Sequence, residues 1–219
     1  KDMVRAQYTD DTELSLEVLD AIVRCGGTSL ESAVNALETW VKKYDVFNKS
    51  YLGPTSKKAL EGIFAGGDPV EIGREGTTNG AAMRVIPIGY AYKTMRQTLL
   101  QVRASCIPTH KNREAMTGAS AVAAAVFLAR HGKSKNAIKA YIEKKFRYDL
   151  SIPLASIREE HVFHPRASYS VPLAIIAFLE STDYESAIRN AISLGGDADT
   201  QACIAGGIAE AYYKDIPEH

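Results

Sequence analysis

Little in this sequence could staple it, charge it or hold it in a membrane. Its three cysteines, Cys25, Cys106 and Cys203, lie far apart, cannot all pair and show no C-x-x-C spacing, which excludes a disulfide framework and a zinc knuckle. The charge balance has no excess of either sign, with 26 Lys+Arg against 26 Asp+Glu, so no global field draws the chain to nucleic acid or to an anionic surface. No apolar run approaches the roughly 20 residues of a membrane span, and the first residues lack a basic-then-apolar signal pattern. Tandem repeats, low-complexity stretches and Pro/Ser-rich linkers are also missing, so a single domain is expected over residues 1–219. These absences predict a cytoplasmic protein with no nucleic-acid and no membrane partner; a monomer is expected.

Strict alternation of apolar and polar residues is scarce, whereas apolar positions recur at three and four residues in nearly every segment. The helical period predicts an all-α protein. A first helix follows Thr9-Asp10-Asp11-Thr12, with Leu14, Val18, Ala21, Ile22 and Cys25 on one face and Gly26-Gly27 ending it. Thr28 and Glu31 have capping-box spacing ahead of a second helix carrying Ala33, Val34, Leu37 and Trp40. Further helices are expected at 56–65, after Asp68-Pro69, and at 81–91, 94–104, 111–129, 134–146, 170–180, 184–194 and 200–213. Thirty alanines, clustered as in Ala121, Ala123, Ala124 and Ala125, let helix axes approach closely.

Two short acidic runs stand out, almost the whole chain apart: Thr9-Asp10-Asp11-Thr12 and Asp197-Ala198-Asp199-Thr200. Each precedes an apolar-periodic helix, where one Asp or Thr is an ordinary N-cap favoured by the helix dipole. Capping does not explain two carboxylates per run, since the second adds repulsion unless it faces a cation. If the helix starts meet, Asp10, Asp11, Asp197 and Asp199 supply four carboxylates, and Thr9 and Thr200 two hydroxyls. Such hard oxygen donors suit two Mg²⁺ or Mn²⁺ ions in a hydrolytic site.

With Gly76-Thr77-Thr78-Asn79-Gly80-Ala81-Ala82-Met83-Arg84, Thr109-His110, Ser170-Val171-Pro172-Leu173-Ala174 and the segment 193–200, these runs make the chain resemble the ADP-ribosylglycohydrolases. The resemblance implies a multi-helix domain with a two-metal site at the bottom of an ADP-ribose cleft. It assigns metal ligation to Thr9, Asp10, Asp11, Asp197, Asp199 and Thr200, and catalysis to the four aspartates. It also assigns substrate binding to Gly76, Thr77, Thr78, Asn79 and Gly80 near the diphosphate and ribose, with His110 and Tyr169 along the cleft. His110 is expected at a helix start, after Pro108.

Members of that family open with a helix and a flexible loop carrying a glutamate, to which nothing in 1–7 corresponds. The expected activity is release of ADP-ribose from an arginine or serine side chain of a modified protein. The alternative is an ADP-ribose-binding or immunity module without turnover.

Overall fold

The computed structural model describes residues 8–160 and 163–217. The segment 1–7, and His161 and His219, to which the sequence assigns no site role, fall outside the described residues. Among the described residues the structure is all-α with no strand; one isolated antiparallel bridge pairs Thr78 with Arg166. The order is α1 (Asp10–Cys25), α2 (Leu30–Tyr44), α3 (Pro54–Phe64), α4 (Pro69–Ile72), α5 (Gly80–Met83), α6 (Ile86–Ala91) and α7 (Met95–His110). Then come α8 (Arg113–Arg130), α9 (Lys135–Phe146), α10 (Leu154–Glu160), α11 (Ala167–Leu179), α12 (Tyr184–Ser193) and α13 (Ala198–Tyr213).

Helix α8 is the axle. Its alanines 115, 119, 121, 123, 124, 125 and 129 are buried, and α5, α6, α7, α9, α11 and α13 pack around it. Small side chains bring neighbours to near backbone contact: a Cβ built on Gly89 of α6 would lie 2.6 Å from the Val126 side chain. A second, smaller cluster joins α1, α2 and α3 through Leu14, Leu37, Trp40, Leu60 and Ile63, and Met83 reaches it from α5. Trp40 is fully buried there, its indole N–H donating to Glu13 Oε2 at 2.8 Å, with the Tyr51 hydroxyl donating to Glu13 Oε1 at 2.7 Å.

Several sequence expectations give way to tertiary context. The second helix is capped one residue later than Thr28: Ser29 and Ser32 form the reciprocal capping box, while the Thr28 hydroxyl donates to the Gln101 carbonyl at 2.9 Å. Cys25 closes α1 exposed rather than buried. The expected helix 81–91 is broken at Arg84–Val85 into α5 and α6, where Pro87 opens the second piece.

Pro108, read as a helix boundary, instead lies inside α7, and Pro172 lies inside α11. Each sacrifices one backbone bond in exchange for burial of the surrounding turn. His110 therefore ends α7 instead of starting α8. Helix α10 was not foreseen.

Candidate active site

Both acidic runs start helices, α1 and α13, and neither uses its side chain as a cap. Thr9 and Asp197 occupy the N-cap positions without a capping hydrogen bond. The Thr9 hydroxyl donates to Asp11 Oδ2 at 3.0 Å instead, and Asp197 Oδ2 accepts from Asn79 Nδ2 at 2.6 Å. The explanation by ordinary capping fails on this geometry.

One carbonyl contacts both helices near their starts. Met83 O, at the end of α5, accepts from Ser15 Oγ of α1 at 3.3 Å and is approached by Cys203 Sγ of α13 at 3.6 Å. Gly195 and Gly196, with φ of 72° and 66°, make the left-handed turn that leads from α12 into α13.

Asp10, Asp11, Asp197 and Asp199 consequently share one field. Burial, then repulsion from Asp11, raises the Asp10 carboxyl to about 7. Burial, then repulsion from Asp199, raises Asp11 to about 6 against the opposing hydroxyls of Thr9 and Thr200. Burial also raises Asp197, against the stabilising Asn79 amide. Asp11 is 4% exposed, and its Oδ1 has no hydrogen-bond partner among the described residues.

An orphaned, buried carboxylate oxygen among mutually repelling carboxylates is what a divalent cation would satisfy, so the oxygen donor set fits Mg²⁺ or Mn²⁺. The side chains are not drawn in around such an ion: among the described residues no three His, Cys, Asp or Glu form a group already arranged to hold a metal.

The cluster lies at a cleft of about 400 Å³ lined by Asp10, Asp197, Asp199 and Thr200. Tyr51, Gly53, Pro54, Thr55 and Ser56 form one wall, and Thr78, Asn79, Gly80, Met83, Phe163 and Pro165 another. The loop after Gly76 is fixed from both sides. Asn79 N–H donates to the Pro165 carbonyl at 3.0 Å, and Ala167 N–H to the Thr77 carbonyl at 3.1 Å. Asn79 Nδ2 also reaches Ser170 Oγ of α11 at 3.0 Å, bridging that helix to Asp197.

The structure thus brings Thr78, Asn79 and Gly80 to the cleft with the aspartates. Gly76 and Thr77 stand behind it. Gly76 is glycine because its backbone rides on α7: a Cβ there would sit 2.1 Å from the Thr109 carbonyl oxygen. His110 is wholly buried behind Thr78, with its Nε2 3.0 Å from Thr78 Oγ1. Tyr169 packs partly buried against the main core, its ring 5.1 Å from that of His164, and does not line the cleft.

Sequence reasoning missed the residues that hold this arrangement. Ser15 and Cys203 gave no signal beyond lying one turn into their helices. Arg84 did: a long cation amid Ala81, Ala82 and Val85 has to be buried with oxygen partners or break the segment. It is 2% exposed and donates to the carbonyls of Gly80 and Ser105 and to Thr109 Oγ1.

No described helix is long and apolar enough to cross a membrane. The sequence profile of the ADP-ribosylglycohydrolase family matches residues 2–219. Uncharacterized protein YegU of Escherichia coli is 32% identical over 242 residues, covering 95% of this chain and 72% of YegU. ADP-ribosylarginine hydrolase Tri1 of Pseudomonas putida is 26% identical over 227 residues, 96% of this chain and 60% of its own length. A solved structure described as an ADP-ribosylglycohydrolase-related protein complex superposes with a TM-score of 0.77 at 29% identity, covering 97% of this chain and 74% of that one. The chain belongs to the ADP-ribosylglycohydrolase family and is a glycohydrolase of that kind.

Proposed function

We propose that this protein releases ADP-ribose from a modified arginine or serine side chain at the Asp10/Asp11/Asp197/Asp199 cluster, with two Mg²⁺ or Mn²⁺ ions. The observation that carries the reading is Asp11 Oδ1, without a partner among the described residues, on a carboxyl that, like that of Asp10, has its proton affinity raised by burial and by repulsion from neighbouring carboxylates. Thr9, Asp10, Asp11, Asp197, Asp199 and Thr200 would hold the ions. When bound, the ions would offset the acidic charge and lower the pKa of a water.

The chain's own groups supply the rest. Hydrolysis breaks the bond from ribose C1″ to the acceptor nitrogen or oxygen; water's hydroxyl goes to C1″ and its proton to the leaving side chain. The breaking bond leaves positive character on the ribose. Thr78 and Gly80 line the wall that would face the diphosphate and adjoining ribose, and Asn79, whose donors are taken by Pro165, Ser170 and Asp197, holds that wall against the acidic cluster. The relative named as an ADP-ribosylarginine hydrolase supports the arginine acceptor.

The test is release of ADP-ribose from ADP-ribosyl-arginine and ADP-ribosyl-serine peptides in Mg²⁺, Mn²⁺ or EDTA. Metal-dependent release from one peptide is expected. Release untouched by EDTA would remove the metals from the proposal, and no release from either peptide would remove the activity.

A further inference from the structure

We infer that Arg84, Thr109 and His110 form a one-way hydrogen-bond chain that fixes the Thr78 hydroxyl as a donor into the cleft. Direction starts at Arg84, because a guanidinium has five N–H donors and no acceptor. Its Nη2 lies 2.9 Å from Thr109 Oγ1, so that oxygen accepts. Thr109 is 1% exposed, and among the described residues its single hydroxyl proton has one acceptor in reach, His110 Nδ1 at 2.7 Å. Nδ1 therefore presents its lone pair, and in a neutral imidazole the proton then sits on Nε2. Nε2 is 3.0 Å from Thr78 Oγ1 and donates to it.

With its oxygen engaged from behind, Thr78 has its own proton left for the cleft it lines. In the reverse direction Arg84 and Nδ1–H would both point at Thr109, whose own proton would then be buried with nothing to receive it. The ring is wholly enclosed, and burial together with the Arg84 charge holds the imidazole neutral by pushing its pKa well below the ordinary value. Among the described residues, the hydrogen bonds of Arg84 go to neutral oxygens, those of Gly80, Ser105 and Thr109.

An obligate donor selects a ligand oxygen that accepts. On the ADP-ribose reading proposed above, the charged groups that only accept are the diphosphate oxygens, which take the strongest bond from a fixed donor, whereas ribose hydroxyls can serve either way. Arg84, Thr109 and His110 are then positioning residues, which act on the ligand through Thr78 without touching it.

Calorimetry with ADP-ribose on the full chain tests this. Thr78→Val should weaken binding by on the order of tenfold or more. Thr109→Val should weaken it several-fold, and Thr109→Ser, which keeps the hydroxyl, should restore it. The decisive comparison is the double variant: Thr109→Val should add nothing once Thr78 is Val, because it acts through that hydroxyl.

Additive losses would mean that Thr109 only supports the fold, and the inference would fall. Independently of any ligand or variant, ¹H–¹⁵N correlation of the His110 ring should show the Nε2–H tautomer. An Nδ1–H or doubly protonated ring overturns the inference. Failure of the unaltered protein to bind ADP-ribose would sink the functional reading, while the ring spectrum would still decide the direction of the chain.

Discussion

Helices α1 and α8 both carry carboxylates in their first turn, where the dipole favours negative charge equally, yet the two starts behave oppositely. Glu114 of α8 meets the Arg166 guanidinium at 2.5 Å and accepts from both the N–H and the hydroxyl of Ser168. Those partners, Arg166 foremost, pull its carboxyl down to about 2. Asp10 and Asp11 of α1 meet other carboxylates, and burial with that repulsion drives them up to about 7 and 6. The dipole is the same, so the partners decide. One turn further along α1 the fold again satisfies its buried acids: Glu13 holds Trp40 and Tyr51, and Glu17 holds Lys43 at 2.8 Å. A chain able to pair Glu13, Glu17 and Glu114 leaves Asp11 Oδ1 without a partner among the described residues, and that contrast separates a structural carboxylate from a functional one.

The sharpest way to break the contrast is Asp11→Asn, which keeps the shape and removes the charge. ADP-ribose release should fall by on the order of 10² to 10³, since a ligand for charge stabilisation worth several kcal/mol is lost. Thermal stability in EDTA should hold or rise, because one repelling charge is gone. A large loss of stability, of the kind expected at Glu114, would put Asp11 in the structural class and erase the distinction.

A pH series reads the same contrast in the unaltered protein. Folded Asp10 and Asp11 bind protons more tightly than in the unfolded chain. In EDTA their contribution therefore favours the folded state at low pH and is lost as pH rises from about 4 towards about 7. Glu114 has the opposite sign: its contribution is present above the unfolded value of 4.5 and is lost as pH falls towards about 2. Melting temperatures in EDTA should accordingly decline between pH 5 and pH 7.5, and millimolar Mg²⁺ should flatten or reverse that decline. A profile identical with and without Mg²⁺ would leave the carboxylates with no cation to answer.

The structural member of the pair has its own test. Glu114→Ala should cost about 1–3 kcal/mol in urea unfolding, discounted for the half-exposed Arg166 partner. The loss should be shared by Arg166→Ala, since both remove the same joint between α8 and α11. Losses that add in the double variant would mean that the joint is not the source.

How far the sequence could foresee this follows from where the information lies. The acidic starts of α1 and α13 were legible because each doublet abuts a strong helical period, and repulsion within a run is visible without coordinates. That the starts meet follows from the packing of α1, α5 and α13, where even the shared contact at Met83 O has partners, Ser15 and Cys203, that carry no pattern. The end of α7 was misread because Pro108 is a local stop signal, overridden here by the burial of Val102, Cys106, Pro108 and Thr109. Gly76 was read as a ligand-facing glycine, whereas its need is the close approach to the Thr109 carbonyl. Both of these errors concern contacts between segments distant in sequence, which periodicity does not encode.

The smallest expected effect falls at Asn79, which belongs to both halves of the comparison. Its side-chain amide donates to Ser170, a structural bond to α11, and to Asp197, a bond into the acidic cluster. Asn79→Ala removes both, yet leaves the backbone N–H to Pro165 that fixes the loop. Stability should fall by about 1 kcal/mol, the ordinary worth of such bonds when a small side chain leaves room for water. The loss of the amide removes a group that favours ionised Asp197, so metal-assisted ADP-ribose binding should weaken about three- to tenfold. Ser170→Ala removes only the structural partner and serves as the control: it should carry its share of the stability loss and little of the binding loss. If Ser170→Ala weakened binding as much as Asn79→Ala, the amide would matter for holding the loop in place, and its bond to Asp197 would have no separate role in the cleft.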